Sequence, residues 1–132
     1  MREIKFRAFV AGKMQYVYSL DWGNKGLFQN GDCRVNMGEN GNFGVPMKTA
    51  SLMQFTGLKD KNGKEIYEGD IMNWPGKRNK GISEKAYRHV VVFKNGCFGY
   101  YLGLDFQNDL SELAKKYEII GNIYENPELL AK

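Results

Sequence analysis

The chain has 132 residues and a formal net charge of +4, with 42% hydrophobic and 26% charged residues. This length suits one domain or two small subdomains, and the composition excludes intrinsic disorder as the default state. No apolar run reaches the length of a membrane span, and the charged N-terminal residues are unlike those of a signal peptide. We therefore expect a globular cytoplasmic protein that does not bind a membrane.

The first 50 residues are predicted to form a β-hairpin followed by a loop-rich region. Ile4–Val10 alternates apolar and polar residues with the period of a half-buried strand, and Met14–Leu20 is rich in β-branched and aromatic residues. Gly23–Pro46 contains six Gly and five Asn, which predicts loops with one or two short strands. Within it, Asn30–Gly31 and Asn40–Gly41 predict turns with positive φ.

Residues 51–132 are predicted to contain several further strands. A strand begins at Leu52, and the clearest hairpin of the chain pairs Arg88–Phe93 with Cys97–Leu102 across an Asn-Gly turn. The many aromatic residues (8 Phe, 8 Tyr, 2 Trp) and glycines, with only 3 prolines, also favour short strands and tight turns. The fold class is therefore mainly β.

One short helix is predicted near residues 110–117. Asp109 and Glu112 have the spacing of a capping box, and the apolar residues that follow lie on one helical face. In the tail sequence NPELL, Asn126 is expected to cap a single helical turn with Pro127 at its first position.

The stretch TGLKDKNGKEIYEGDI, from Thr56 to Ile71, is dense in acids and lysines. Its spacing is not that of an EF-hand, because a glycine lies fourth from Asp60 where that loop has it sixth. We interpret the stretch as a corner, in which Asp60 and Asn62 order a turn, Gly69 takes a conformation closed to other residues, and Asp70 caps the next strand. A looser magnesium or calcium site at Glu68 and Asp70 is the alternative.

Other metal and redox chemistry has little support in the sequence. Cys33, Cys97 and the single His89 are too few for a tetrahedral zinc site. For the cysteines, two free thiols is the preferred interpretation and a disulfide the alternative. We expect no metal and no cofactor.

The segment from Pro75 to Lys94 carries six basic residues and one acid. Its glycines let the chain follow a phosphate backbone, and nearby aromatic residues offer stacking faces. The candidate nucleic-acid-binding residues are Lys77, Arg78, Lys80, Lys85 and Arg88. The competing interpretation is a solvated loop that protects a β edge from aggregation.

Aromatic residues also indicate a protein interface. Adjacent residues of a strand point to opposite faces, so at least one of Tyr100 and Tyr101 leaves the interior unless something covers it. Tyr and Trp are enriched at interfaces, which makes Trp74, Tyr100 and Tyr101 the candidate contact residues. A homo-oligomer, or docking onto a host or phage protein, would use them.

No catalytic motif is present. The sequence contains no GxSxG, P-loop, HExxH or GxGxxG pattern, and His89 adjoins three valines in a predicted strand, where a histidine is usually structural. We expect a protein that is not an enzyme and has no catalytic residues.

Three segments resemble the YopX family of phage and prophage proteins: REIKFRAF at Arg2–Phe9, TGLKDKNGKEIYEGDI at Thr56–Ile71, and IIGNIYENPELL at Ile119–Leu130. The opening differs from the family pattern, which has Trp and Asp where this chain has Phe9 and Val10. The resemblance implies a phage origin and a mostly β fold with a small SH3-like barrel in the C-terminal half. It implies no activity.

The sequence therefore predicts an N-terminal β-hairpin and Gly/Asn-rich region over residues 1–50. An SH3-like barrel region with one short helix is expected over residues 51–132. The predicted function is that of a non-enzymatic, phage-encoded binding module acting through protein contacts or self-association. Nucleic-acid binding through the basic loop at residues 75–94 is the alternative.

Overall fold

A computed structural model describes residues 3–21, 33–77 and 79–130 of the protein. The fold is mainly β, as the sequence predicts, and divides into two compact units, Ile4–Gln54 and Phe55–Lys132. The described residues form twelve strands and one α-helix: β1 (Phe6–Val10), β2 (Lys13–Asp21), β3 (Arg34–Met37), β4 (Phe43–Pro46), β5 (Ser51–Lys59), β6 (Glu65–Tyr67), β7 (Asp70–Asn73), β8 (Arg88–Val90), β9 (Val92–Lys94), β10 (Cys97–Leu102), β11 (Asp105–Gln107), α1 (Leu110–Ala114) and β12 (Glu118–Asn122).

The first unit is an antiparallel sheet that begins with the predicted hairpin. Strands β1 and β2 pair so that Val10 lies opposite Lys13, which leaves the two-residue turn Ala11–Gly12. Both turn residues have positive φ, 50° and 79°, the backbone twist that suits a tight hairpin. The sheet continues with β3 and β4 beyond β2, and with the first residues of β5 beside β1.

The core of this unit is built from alternating residues of the strands. Ala8 and Val10 of β1 pack with Val35 and Met37 of β3, and all four are buried. Arg7, which the alternation places on the open face of β1, is also buried, so both faces of this strand are covered. The period of two predicts the strand correctly, but the expectation of a solvated outer face is wrong.

The Gly/Asn-rich region contributes two short strands where the structure describes it. These are β3 and β4, which pair with each other. Asn40 and Gly41 have φ of 60° and 70°, so the predicted turn with positive φ is confirmed there. The other predicted turn, Asn30–Gly31, lies outside the described residues.

The second unit contains two three-stranded antiparallel sheets, ordered β12-β7-β8 and β11-β10-β9. The later residues of β5, from Phe55, pair with β6. Buried residues from β6, β7, β10 and α1 form its core, namely Ile66, Met72, Val91, Tyr100, Leu110, Leu113 and Ala114. An SH3-like closure of these sheets stays a prediction.

The predicted hairpin in this unit is confirmed with one change. Strands β9 and β10 pair across Asn95–Gly96, whose φ values of 53° and 80° are both positive. The preceding strand is not continuous, because the N–H of Val91 donates to Asp70 O (2.9 Å) and its carbonyl accepts from Gly69 N (2.8 Å). Val91 therefore separates β8, which pairs with β7, from β9.

Helix α1 is shorter than predicted and is not closed by a capping box. The Asp109 carboxylate makes no cap to the helix, because Oδ1 accepts the Tyr100 O–H at 2.7 Å. Glu112 instead pairs with Lys115 at 3.1 Å. The predicted turn at Pro127–Leu129 is present, but the Asn126 side chain accepts from Asn122 N and does not cap it.

Within the described ranges, no helix is long and apolar enough to cross a membrane. Cys33 and Cys97 are both free thiols, and both are half-buried.

Candidate functional site

The charged stretch from Thr56 to Ile71 forms a corner held by a buried carboxylate. Asp60 Oδ1 accepts the backbone N–H groups of Asn62 and Lys64, and Oδ2 accepts that of Ile119, each at 2.9 Å. Asp60 is only 7% exposed. Three amide donors therefore occupy this carboxylate, which agrees with its predicted role in ordering the turn.

The second acid of the corner is equally internal. Asp70 Oδ2 accepts Tyr67 N at 2.8 Å, and the residue is buried. Gly69 has φ of 87°, as predicted for a conformation closed to other residues. The described residues contain no group of three or more His, Cys, Asp or Glu side chains placed to hold a metal ion, so the alternative cation site gains no support.

The segment near the C-terminus is also held by its own side chains. Asn122 Oδ1 accepts the N–H groups of Tyr124 (3.0 Å) and Glu125 (2.9 Å). The Asn126 side chain lies against Gly121, where a Cβ atom would come within 2.5 Å of it. The polar residues that make this segment and the corner recognisable in the sequence therefore maintain the backbone.

The basic loop between β7 and β8 folds around two aromatic residues. At its base, Trp74 N donates to Tyr87 O at 3.1 Å. The Trp74 indole N–H donates to Lys77 O at 3.4 Å, and Asn79 N donates to the Tyr87 hydroxyl at 3.0 Å. At Gly76 a Cβ atom would lie 2.6 Å from the Trp74 ring, so the absence of a side chain there lets the loop cross the indole.

Beside this loop lies a shallow pocket of about 330 Å³, lined by Trp74, Tyr87, Lys116 and Tyr117. The Trp74 and Tyr117 ring centroids are 5.5 Å apart, with 50° between the ring planes. Sequence reasoning identifies Trp74 and Tyr87 but misses Lys116 and Tyr117. A lysine next to an aromatic residue just after the helix is the available signal, and nothing local connects it to Trp74.

His89 supports the pocket from behind. Its ring centroid lies 5.7 Å from that of Tyr117 and 5.3 Å from that of Tyr100. Nδ1 is 3.1 Å from Tyr101 O, and since a carbonyl only accepts, Nδ1 carries the proton in this contact. Burial lowers the pKa of His89, with the Tyr101 carbonyl opposing in part, so the ring is neutral near pH 7. These contacts agree with the structural role expected for this histidine.

The phenols of this region remain protonated at neutral pH. Burial raises the pKa of Tyr117, and the neighbouring Tyr87 raises it further. Burial also raises the pKa of Tyr100, together with its hydrogen bond to Asp109. Tyr117 therefore adds no negative charge to the pocket.

The predicted nucleic-acid-binding residues divide into two groups. Lys77 and Lys80 are exposed and Lys85 is half-buried. The Arg88 side chain is only 16% exposed, donates Nη1 to Leu129 O at 2.8 Å and lies 3.5 Å from Glu84. Arg88 therefore secures the C-terminal turn, and Arg78 lies outside the described residues.

The predicted protein-contact residues are also separated. Tyr100 is buried, and its hydroxyl donates to Asp109, so it belongs to the core. Tyr101 is exposed and accepts from Lys94 Nζ at 2.7 Å. The expectation that the two tyrosines face opposite ways is confirmed, while the burial of Tyr100 removes it from a surface interface.

A second pocket, of about 340 Å³, lies in the first unit beside Cys33, Pro46, Met47 and Lys48. Its described lining has one lysine and no aromatic ring. It therefore lacks the combination of stacking faces and positive charge found at Trp74.

Fold and site together define a small β protein with an aromatic pocket beside a basic loop. The chain belongs to the YopX protein family, whose model matches residues 5–131. This match confirms the resemblance drawn from the three sequence segments.

Two solved structures share the fold over nearly the whole chain. Protein EF1440 from Enterococcus faecalis is 26% identical, with a TM-score of 0.62 and coverage of 99% of this chain and 100% of its own. YopX from Bacillus subtilis is 23% identical, with a TM-score of 0.60 and coverage of 100% and 98%, and shows the fold alone. No curated protein matches the chain.

Proposed function

We propose that this protein is a non-enzymatic module that binds nucleic acid through the basic loop and the aromatic pocket beside it. The observation that carries the proposal is the convergence of exposed lysines with three aromatic rings at one site. Lys77 and Lys80 lie on the loop that crosses Trp74, and Lys116 lines the pocket. Cations supply contacts to phosphate, and aromatic faces supply contacts to bases.

The charges of this site are placed for an external anion. Lys77, Lys80 and Lys116 are exposed, and within the described residues no ion pair joins any of them to a carboxylate. An ammonium group that has no internal partner can replace a counterion at a phosphate without breaking a contact of the fold. The loop is also secured at Trp74 and Tyr87, which reduces the entropy lost on binding.

The test is fluorescence anisotropy with labelled DNA and RNA of about 12 nucleotides, a length within the range that small β domains cover. A salt series is measured on the wild type, on Lys77→Ala/Lys80→Ala, and on the matched control Lys61→Ala/Lys64→Ala. Both variants lose two exposed lysines, so their net charges are equal. We expect the loop variant to lose a salt slope of about 0.7 to 0.9 per phosphate contact, and the control to keep the wild-type slope.

Two results would contradict the proposal. One is the absence of binding to any of these nucleic acids at low salt. The other is an equal loss in both variants, because binding would then follow net charge and not the basic loop.

Protein contact is the second candidate function, and one surface favours it. The strands β9 and β10 and the turn after them expose Phe93, Tyr101, Leu102 and Leu104, with Leu104 97% exposed. Exposed apolar residues grouped on one sheet are typical of contact surfaces. Self-association, or docking onto a host or phage protein, would bury them.

Sedimentation equilibrium tests self-association through this surface. We expect the wild type to dimerise with rising concentration and Leu104→Lys to remain monomeric, since a charge would be placed in an apolar contact. A thermal melt of the variant checks that the exposed substitution leaves the fold unchanged. A wild type that stays monomeric at every concentration would eliminate this form of the candidate.

Family membership supports a biological setting for either function. We propose that the protein is encoded by a phage or prophage and acts in the cytoplasm of the bacterial host, without a cofactor and without a membrane. Immunoblotting of fractionated host cells tests the location, with the protein expected in the cytoplasmic fraction and contradicted by recovery in the membrane fraction.

A further inference from the structure

The pocket at Trp74 has the dimensions of a site for one small ring system. Its volume of about 330 Å³ is at the lower end of the range of roughly 300 to 1,000 Å³ that small-molecule sites span. The Trp74 and Tyr117 rings meet at 50° and so form a wedge rather than a parallel stack. One planar group can stack on a wall of such a wedge.

We infer that this pocket takes a single unstacked nucleobase, so that the ligand is single-stranded nucleic acid. The inference rests on the proposed function and specifies its ligand. In a duplex both faces of each base are covered by neighbouring bases, and the base would first have to be flipped out. In a single strand the bases are free to stack on aromatic side chains.

The charges around the pocket fit a strand that passes through it. Lys116 lines the pocket, and Lys77 belongs to the loop whose carbonyl accepts the Trp74 indole N–H. A base inserted at Trp74 therefore has cations nearby for its flanking phosphates. The protonated phenol of Tyr117 brings no charge that would repel them.

The ligand has two parts that can be tested separately. The lysines would bind any polyanion, whereas only a base can use the aromatic walls. A base-free deoxyribose-phosphate strand carries the same phosphates with nothing to stack. Comparing it with an ordinary single strand separates the pocket from the loop.

The first measurement follows the fluorescence of Trp74 during titration. The chain has two tryptophans, so Trp22→Phe leaves Trp74 as the sole indole reporter. Single-stranded oligothymidine, the same strand without bases, and a duplex of equal length are titrated into this variant. We expect quenching by the single strand only, and about tenfold weaker binding of the base-free strand, as for the loss of one stacked base.

The second measurement uses substitutions that separate the ring from its bulk. Trp74→Leu keeps an apolar side chain but removes the aromatic face, and Trp74→Phe restores a ring. We expect about tenfold weaker single-strand binding for the first and near wild-type binding for the second. Tyr101→Leu removes an exposed ring outside the pocket and should leave affinity unchanged. Circular dichroism melts confirm that each variant is folded.

The outcomes distinguish this inference from the proposed function. Salt-dependent binding in which the base-free strand equals the ordinary strand, with no change in Trp74 fluorescence, would overturn the base site and leave the basic loop as a nucleic-acid site. The absence of binding to every strand at low salt would overturn both. Base-dependent quenching that Trp74→Leu weakens and Trp74→Phe retains would support both.

Discussion

The corner at Thr56–Ile71 and the basic loop between β7 and β8 are both dense in charge, yet the structure uses their charges differently. The corner has four acids and three lysines, and its buried acids Asp60 and Asp70 accept backbone N–H groups. The loop has exposed lysines whose ammonium groups make no contact that holds the backbone. One region uses charge to order the chain, and the other presents charge to solvent.

The difference follows from the chemistry of the two kinds of charge. A carboxylate accepts several N–H donors at once, and turns supply such donors because their amides leave the regular ladder. A lysine donates only, and its long side chain stabilises little when it is held at a surface. An acid in a tight turn is therefore more often internal to the fold, whereas a lysine in a loop is more often available to a ligand.

The largest expected effect is the loss of the Asp60 carboxylate. Asp60→Ala removes the acceptor of three backbone donors, and we expect a loss of about 4 kcal/mol in the free energy of unfolding. Urea denaturation measures it. Lys61→Ala, at an exposed neighbour, should change stability by less than about 0.5 kcal/mol. Similar stabilities for the two variants would show that the corner does not depend on this carboxylate.

Arg88 sharpens the comparison because it belongs to the same basic segment as Lys80 but is held like the acids of the corner. Arg88→Ala breaks the bond to Leu129 O, and we expect a loss of about 2 kcal/mol in the free energy of unfolding, with no change in the salt slope of binding. Lys80→Ala should do the reverse, lowering the slope without lowering stability. Chemical denaturation and the anisotropy salt series decide between them. Equal behaviour of the two variants would contradict the division.

The pH dependence of stability tests the support behind the pocket. The folded pKa of His89 lies below 6.5, so its stabilising contribution is complete above about pH 6.5 and is lost as the pH falls through the folded pKa. We expect the wild-type Tm to fall by about 3 °C more than that of His89→Gln between about pH 7 and pH 5. Parallel curves for the two proteins would show that His89 does not titrate differently on folding.

The smallest expected effect on stability, at Gly76, reports on the loop itself. A Cβ atom there would lie 2.6 Å from the Trp74 ring, so Gly76→Ala must displace either the loop or the indole. We expect Tm to change by no more than about 2 °C while nucleic-acid affinity falls about threefold, because the loop no longer crosses Trp74 in the same way. Gly81→Ala is the control, since its added Cβ atom meets nothing within 4 Å. Equal affinities for the two variants would remove the loop conformation from the account.

Local signals predicted the parts of the fold that depend on neighbouring residues. The turn at Asn95–Gly96 follows from residues that tolerate positive φ, and the corner at Asp60 follows from an acid placed before Asn and Gly. Both are decided within a few residues of the chain. Three segments were also sufficient to indicate the family that the family model confirms.

Contacts between distant residues were not predictable in this way. Tyr117 meets Trp74 only because β12 pairs with β7, and Arg88 reaches a carbonyl 41 residues away. The capping box at Asp109 failed because the Tyr100 hydroxyl, nine residues earlier, competes for the same carboxylate. In each case the deciding partner comes from another strand or turn, and the local pattern carries no information about it.

The most direct test of the account is a site-resolved titration by nuclear magnetic resonance. Unlabelled oligothymidine is added to the ¹⁵N-labelled protein, and the shift of each backbone amide is followed. We predict that the shifts concentrate at Lys77, Lys80 and Lys116, while the amides of Thr56–Ile71 stay unchanged. Shifts concentrated in the corner, or no shifts at the loop when the strand is in excess, would contradict the claim that the loop charges serve a ligand and the corner charges serve the fold.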